Sequence, residues 1–165
     1  MYFEDYHQGH TARFGAYQVT KSEIIEFASK YDPQYFHLDN EAAKDSLFGG
    51  LCASGWHTSA MFMRMLIDNL PEEHGSLGSP GISNLKWLKP VYPGYILSVK
   101  SCVTRCRLSE SKRGVGLICV NYEIVNQHYM TVMTLESNAF FRCKKNCFNG
   151  FGKQLLLPSG LLFTL

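Results

Sequence analysis

Asp32 and His37 are the residues of this chain best suited to chemistry, because a carboxylate and an imidazole lie five positions apart just past a predicted helix end. Together they could hold one water molecule and move its proton, a task in which a well-placed side chain contributes ~10²–10⁴-fold to a rate. A structural interpretation is also open. Aspartate before Pro33 is a common helix terminator and turn starter, since the residue before proline is displaced from the α region, and histidine among aromatic residues is often a half-buried structural residue.

The composition predicts one domain and excludes several kinds of partner. The 165 residues can bury a sizeable core. The 16 basic and 14 acidic residues are spread along the chain and give a net charge of +2. This charge does not indicate binding to nucleic acid or to an anionic membrane. The amino-terminal residues do not resemble a signal peptide, and no stretch reaches the ~20 apolar residues of a spanning helix. We therefore expect a soluble cytoplasmic protein.

Cysteine spacing predicts neither disulfides nor a metal site. Most of the six cysteines lie in apolar or strand-like segments, where a thiol behaves as a small hydrophobic group. Cys102 with Cys106, and Cys143 with Cys147, could each begin a zinc site, but no second pair at finger-like spacing completes either one. Glycine patterns of nucleotide-binding folds are also missing. We expect no metal and no cofactor.

A strand and a helix precede Asp32. Alternation and aromatic residues predict a strand over Ala12 to Val19. Thr20 and Glu23 have the spacing of a capping box, in which each side chain bonds the other residue's backbone amide. Apolar residues then recur at helical spacing as far as Tyr31, and the following proline ends the helix. The Asp32 segment is thus attached to a packed helix.

A second, longer helix is predicted from residue 54 or 55 to Leu70. Its apolar residues cover most of its circumference, which predicts a helix buried on nearly all sides. Its polar exceptions, His57, Arg64 and Asp68, share one stripe, along which Arg64 and Asp68 are spaced to pair.

Four segments with period-two patterning follow this helix. They cover residues 82–88, 95–107, 115–125 and 129–141. Helices followed by a run of strands predict an α+β domain with an antiparallel sheet, and the long helix is the element apolar enough to cover that sheet. We expect a single domain over residues 1–143, in which a curved antiparallel sheet wraps a long central helix. Residues 144–165 break the alternation and form a separate tail.

Four motifs in order along the chain carry a family resemblance. They are Asp32 with His37, Phe48-Gly49-Gly50-Leu51, Ala53-Ser54-Gly55-Trp56-His57-Thr58, and Trp87-Leu88-Lys89-Pro90-Val91-Tyr92-Pro93-Gly94. Over about residues 5 to 142 the chain resembles the MaoC-like acyl dehydratases, relatives of the (R)-specific enoyl-CoA hydratases. The resemblance implies the hotdog fold of that family, a long helix wrapped by an antiparallel sheet.

The same resemblance implies roles for particular residues. Asp32 and His37 match the family's catalytic aspartate and histidine, and Gly55 matches the glycine whose backbone amide binds the thioester oxygen. Gln34 and Tyr35 depart from the family's asparagine and proline. Met63 stands where some hydratases have a supporting serine.

Hydration of a trans-2-enoyl-CoA to a 3-hydroxyacyl-CoA is the implied reaction, with an acyl-CoA thioester as substrate and a role in fatty acid metabolism. An amide at the start of a helix suits the oxyanion, although Gly55 is equally compatible with a plain helix start. Candidate substrate-binding residues are Phe36, Leu51 and Trp56 for the acyl chain and Lys86 and Lys89 for the phosphates of CoA. The first three are equally good core residues, and the two lysines are also typical of solvated strands.

Two alternatives remain open at this point. The fold also supports thioesterases, which release the thiol, and the departures at Gln34 and Tyr35 are compatible with a non-catalytic acyl-CoA-binding or partner subunit. A single hotdog unit leaves a sheet edge unpaired, and the family pairs such units, so we expect a homodimer or a trimer of dimers.

Overall fold

A curved antiparallel sheet packed against one long helix is the framework of the chain. The structure is a computed structural model that describes residues 1–144. Within that range the strands are β1 (Thr11–Gln18), β2 (Gly81–Trp87), β3 (Ile96–Leu108), β4 (Val115–Val125) and β5 (Thr131–Arg142), and the helices are α1 (Lys21–Tyr31), α2 (Tyr35–Leu38), α3 (Asn40–Ala43) and α4 (Gly55–Asp68). The strand order is β1-β3-β4-β5-β2, and every neighbouring pair is antiparallel. The α+β architecture predicted from the sequence is confirmed.

The predicted strands match the observed ones within two residues at each end. Alternating positions on β3 and β4 bury their side chains against the helix, as period two requires; Leu97, Val99, Ile118 and Ile124 are fully buried. Strand β4 lies in the centre of the sheet, and β1 and β2 form its two edges. The sheet therefore has a covered face, on which α4 lies, and two open edges.

Helix α1 begins as predicted, with one difference in its cap. The Thr20 hydroxyl accepts a hydrogen bond from the Glu23 amide over 3.3 Å, while Ile24 and Ala28 face the core. The reciprocal bond of the capping box is not formed, because the Glu23 carboxylate instead accepts a hydrogen bond from the Tyr17 hydroxyl of β1. This contact fixes α1 to the edge of the sheet.

Helix α4 is two residues shorter than predicted, and its burial is one-sided. Met61 and Met65 pack into the core. Trp56, Met63 and Ile67 are 60%, 50% and 53% exposed, so the expectation of a helix buried on nearly all sides is wrong. These three residues lie at positions that repeat around one side of the helix, opposite the sheet.

The polar stripe predicted on α4 is present, but one of its members is buried. Arg64 donates a hydrogen bond to Asp68 over 2.8 Å. His57 lies on the same side of α4 as Arg64, and both line one groove, but His57 is buried against α1, where its ring stacks on Phe27.

Two further predictions concern the carboxy-terminal tail and the absence of a membrane-spanning helix. The tail predicted at residues 144–165 lies, apart from Lys144, outside the described residues. Among the helices of residues 1–144, none combines the length and the apolar character needed to cross a membrane.

Candidate active site

The turn between α1 and α2 brings Asp32 and His37 together. Asp32 is the C-cap of α1, and Pro33 prevents the helix from continuing. His37 lies in the single turn of α2 and is 5% exposed. The distance between Asp32 Oδ2 and His37 Nε2 is 3.5 Å. The predicted pairing of these two side chains in space is therefore present.

The Asp32 carboxylate is held at both oxygens. Gln34 Nε2 donates to Oδ1 over 2.7 Å, and Ser54 Oγ donates to Oδ2 over 2.7 Å. Burial alone raises the pKa of the Asp32 carboxyl, but the hydrogen bonds from Ser54 and Gln34, together with the charge of His37 when that ring is protonated, outweigh it, so that the pKa lies below the usual aspartate value. Asp32 is thus a fixed, ionised hydrogen-bond acceptor at neutral pH.

The His37 ring has one defined tautomer. Its Nδ1 atom lies 2.7 Å from the carbonyl oxygen of Cys52, and because a carbonyl oxygen only accepts, Nδ1 must carry the hydrogen. Nε2 of the neutral ring is then an acceptor, and it faces Asp32 Oδ2. Two acceptors 3.5 Å apart do not bond each other directly, whereas a water molecule can donate one hydrogen to each.

Aromatic rings pack around His37 and restrict its orientation. Phe36 contacts the imidazole edge-on, with ring centroids 4.6 Å apart. Phe48 lies nearly parallel to it, with centroids 6.4 Å apart. These rings make the surroundings of the polar pair apolar.

The amino terminus of α4 forms the opposite side of the site. Ser54 is the N-cap, and its Oγ accepts from the Trp56 amide over 3.3 Å. Gly55 follows at the first helical position, where amide groups have no acceptor within the helix and the helix dipole is positive. A Cβ atom built on Gly55 would lie only 2.6 Å from Cδ2 of Trp87. Packing against Trp87 is therefore a second reason for glycine at this position.

A cavity of about 420 Å³ joins these groups. Of the residues singled out in the sequence, it is lined by Asp32, Phe36, His37, Gly55, Trp56 and Lys89; Gln34, Phe48, Cys52, Ser54, Trp87 and Leu88 are among its other walls. The volume lies within the range of small-molecule sites. The structure thus gathers most of the predicted site residues around one opening.

Leu51 and Lys86 are placed elsewhere. Leu51 is 2% exposed and belongs to the hydrophobic core. Lys86 lies in a different groove on the sheet, beside Glu123 and Glu136. Met63 is half exposed on α4, and the serine contact to Asp32 comes instead from Ser54.

Sequence reasoning missed three contributors to the site. The Ser54 bond to Asp32 and the Cys52 bond to His37 join residues 22 and 15 positions apart, and local periodicity carries no signal for such contacts. Trp87 ends a strand, and its contact with Gly55 depends on how that strand meets α4. The available signals were the position of Ser54 at the predicted helix start and the presence of Ser54 and Trp87 in the motifs of the family resemblance.

The chain belongs to the MaoC-like domain family, whose model matches residues 5–121. An uncharacterized protein, YdeM, of Bacillus subtilis is 30% identical over 93 residues, which are 56% of this chain and 66% of that protein. The match therefore spans slightly less than two thirds of that relative.

Solved structures agree with this assignment. A MaoC-like dehydratase from Rhodospirillum rubrum is 35% identical in sequence. Its superposition has a TM-score of 0.81 and covers 87% of this chain and 98% of the other. An (R)-hydratase from A. caviae, involved in PHA biosynthesis, is 23% identical and shares the fold, with a TM-score of 0.64 over 86% of this chain and 99% of the other. The fold is the hotdog fold, as the family resemblance implied, and it is that of a hydratase and dehydratase family.

Proposed function

We propose that this protein is a hydro-lyase that reversibly hydrates a trans-2-enoyl-CoA to a 3-hydroxyacyl-CoA. One observation carries the proposal. Asp32 Oδ2 and His37 Nε2 are two acceptors 3.5 Å apart at the wall of a cavity that also contains the amino terminus of α4. Such a pair suits a single water molecule, and the helix terminus suits a developing negative charge.

The proposed reaction uses these groups in sequence. The water oxygen bonds to the β-carbon of the enoyl group while Asp32 and His37 take its proton. The π electrons move toward the thioester, whose oxygen gains negative charge and accepts a hydrogen bond from the Gly55 amide. A proton returned to the α-carbon completes the 3-hydroxyacyl product. Dehydration follows the same steps in reverse.

The cavity walls suit an acyl-CoA. Phe36 and Trp56 offer apolar surface to the acyl chain, and Lys89 offers positive charge to the phosphates of CoA. Leu51 and Lys86, being outside this cavity, are not part of the proposed site. The proposal gives the enzyme a role in fatty acid metabolism, and the cytoplasmic location expected from the sequence stays a prediction.

The departure at Gln34 is compatible with catalysis. The side-chain amide of Gln34 donates to Asp32, so this chain keeps an amide contact to the carboxylate without the family's asparagine. We therefore favour an enzyme over a non-catalytic acyl-CoA-binding subunit.

We further propose a homodimer formed through β2 and the exposed side of α4. Strand β2 is an open edge, and Ile82 on it is 48% exposed. Trp87 at its end contacts Trp56 of α4, so the strand edge adjoins the exposed stripe of Trp56, Met63 and Ile67. Open edges with adjoining apolar surface favour pairing with a second copy.

Light scattering tests the proposed homodimer, and a monomer in solution would contradict it. A trimer of such dimers is a compatible larger assembly.

Hydration of a panel of enoyl-CoA thioesters tests the function. We expect loss of the enoyl absorbance without release of free thiol. Thiol release would instead indicate a thioesterase. Tight binding without turnover, unchanged by Asp32→Asn, would indicate a binding subunit and contradict the proposal.

A further inference from the structure

Trp87 covers one side of the first turn of α4. A Cβ atom built on Gly55 would lie 2.6 Å from Cδ2, 2.7 Å from Cε2 and 3.0 Å from Cγ of the indole. These distances are far below van der Waals contact, so the indole already lies against the backbone of Gly55. It leaves no room there for even one additional methyl group.

The indole is fixed in this position although Trp87 is 45% exposed. Its Nε1 atom donates to Ser59 Oγ over 3.3 Å, and Ser59 Oγ donates to the Gly55 carbonyl over 3.1 Å. Trp56 packs against the ring, with centroids 5.2 Å apart and planes at 73°. The Trp87 backbone pairs with Met133 of β5. The indole is therefore a supported wall of the cavity.

This wall has a consequence for the ligand, which rests on the proposed function. A thioester whose oxygen accepts from the Gly55 amide carries its α-carbon and its sulfur on the same carbonyl carbon. Gly55 and Trp87 line the same cavity, so the indole is within reach of the atoms next to that carbonyl. We propose that Trp87 is a specificity-determining residue, which admits acyl-CoA thioesters unbranched at the α-carbon and excludes those with an α-methyl group.

The other aromatic walls are placed for a different part of the ligand. Phe36 and Phe48 pack around His37, on the side where water would attack the β-carbon. Their replacement changes the space around His37 and leaves the indole against Gly55 unchanged. Phe48→Leu is therefore a matched control that alters an aromatic wall of the same cavity.

Calorimetric binding of butanoyl-CoA and 2-methylpropanoyl-CoA tests the proposal without requiring turnover. We expect the wild-type protein to bind the unbranched thioester about 10-fold or more tightly, since one methyl group in a close-fitting pocket is worth ~10–200-fold. Trp87→Leu should reduce this ratio to about threefold or less. Phe48→Leu should leave the ratio unchanged. Equal binding by the wild type, or an unchanged ratio in Trp87→Leu, overturns the proposal.

Milder variants keep the test decisive if Trp87→Leu does not fold. Trp87→Phe removes the fused ring, and Ser59→Ala removes the acceptor of the indole N–H. Both should give intermediate ratios, and wild-type ratios in both overturn the proposal. If binding selectivity depends on Trp87 but the protein hydrates no enoyl-CoA, the proposed hydratase activity is rejected and the role of Trp87 stands. If the protein hydrates enoyl-CoA but its binding selectivity does not depend on Trp87, the role of Trp87 is rejected and the hydratase activity stands.

Discussion

Ser54 donates its hydroxyl hydrogen to Asp32 Oδ2 over 2.7 Å and thereby joins the start of α4 to the end of α1. The same oxygen accepts from the Trp56 amide and caps α4. One side chain therefore both begins the helix that presents Gly55 and orients the carboxylate that faces His37. The two halves of the proposed site are coupled through it.

Ser54→Ala should lower stability and shift the pH dependence of activity. Loss of an N-cap costs about 1 kcal/mol. Loss of the bond to Asp32 removes one of the causes that lower the pKa of that carboxyl, so the pKa should rise. Since the ionised form is the proposed base, kcat/KM should begin to fall at higher pH than in the wild type as the solution is acidified. Hydration rates measured across pH check this.

Thr20→Ala is the matched control for the cap. Thr20 Oγ1 accepts from the Glu23 amide and caps α1, and Thr20 does not line the cavity. The Thr20→Ala variant should lose about as much free energy of unfolding as Ser54→Ala, without a change in the pH dependence of kcat/KM. Identical profiles for Ser54→Ala and the wild type would contradict the assigned role of Asp32.

Asp32→Asn and His37→Ala should each lower kcat/KM for enoyl-CoA hydration by ~10²–10⁴-fold. Each variant removes one of the two acceptors that would hold the water. Asp39→Asn is the control, because Asp39 is a nearby carboxylate that caps α3 and asparagine caps helices equally well. Circular dichroism should show the same fold in all three. Near wild-type rates in both site variants would reject the mechanism.

Gly55→Ala should destabilise the protein by about 1–3 kcal/mol, as overpacking does. The new Cβ would meet the indole of Trp87, although alanine is normally the better residue for a helix. The double variant Gly55→Ala with Trp87→Leu should recover part of this loss. Urea unfolding of the four proteins in this cycle measures the coupling. Additive losses would show that the glycine is not required by this contact.

The elements of this fold could be predicted because each is encoded locally. Period-two patterning predicted the strand over residues 95–107, where Leu97 and Val99 are now seen buried on β3, and Pro33 marked the end of α1. The exposed stripe of α4 could not be predicted, because apolar residues on a helix look the same whether they face the core or a partner. Residues of the site that are close in sequence, Asp32 and His37, were found from their types and spacing.

The contacts that shape the site were beyond local patterns. Lys86 lies in the predicted strand over residues 82–88 and Lys89 directly follows it, with the same charge, but only Lys89 lines the cavity. Which lysine reaches the cavity depends on where β2 ends and which way each side chain points, since a shift of one residue along a strand moves a side chain to the other face of the sheet. Tertiary geometry, and not residue type, decides such cases.

His57 should make the stability of the protein depend on pH. It is 3% exposed, stacks on Phe27 with centroids 4.6 Å apart, and has Nε2 3.6 Å from Glu23 Oε1. Within residues 1–144, its buried Nδ1 atom has no hydrogen-bond partner. Burial lowers the pKa of His57 and outweighs Glu23, which raises it. The folded protein therefore holds this imidazole neutral at pH values at which the unfolded chain already binds a proton.

The free energy of unfolding should accordingly be highest above the unfolded histidine value of 6.5 and fall as the pH drops below it. One proton of difference gives a slope of at most about 1.4 kcal/mol per pH unit. His57→Gln should flatten this slope between pH 7.5 and 5, as measured by urea unfolding. His128→Gln, at an exposed histidine, should leave it unchanged. Asp32, whose pKa is lowered from 3.8, loses its contribution only in more acidic solution, so the two effects separate. A slope that survives in His57→Gln would assign the acid sensitivity to another group.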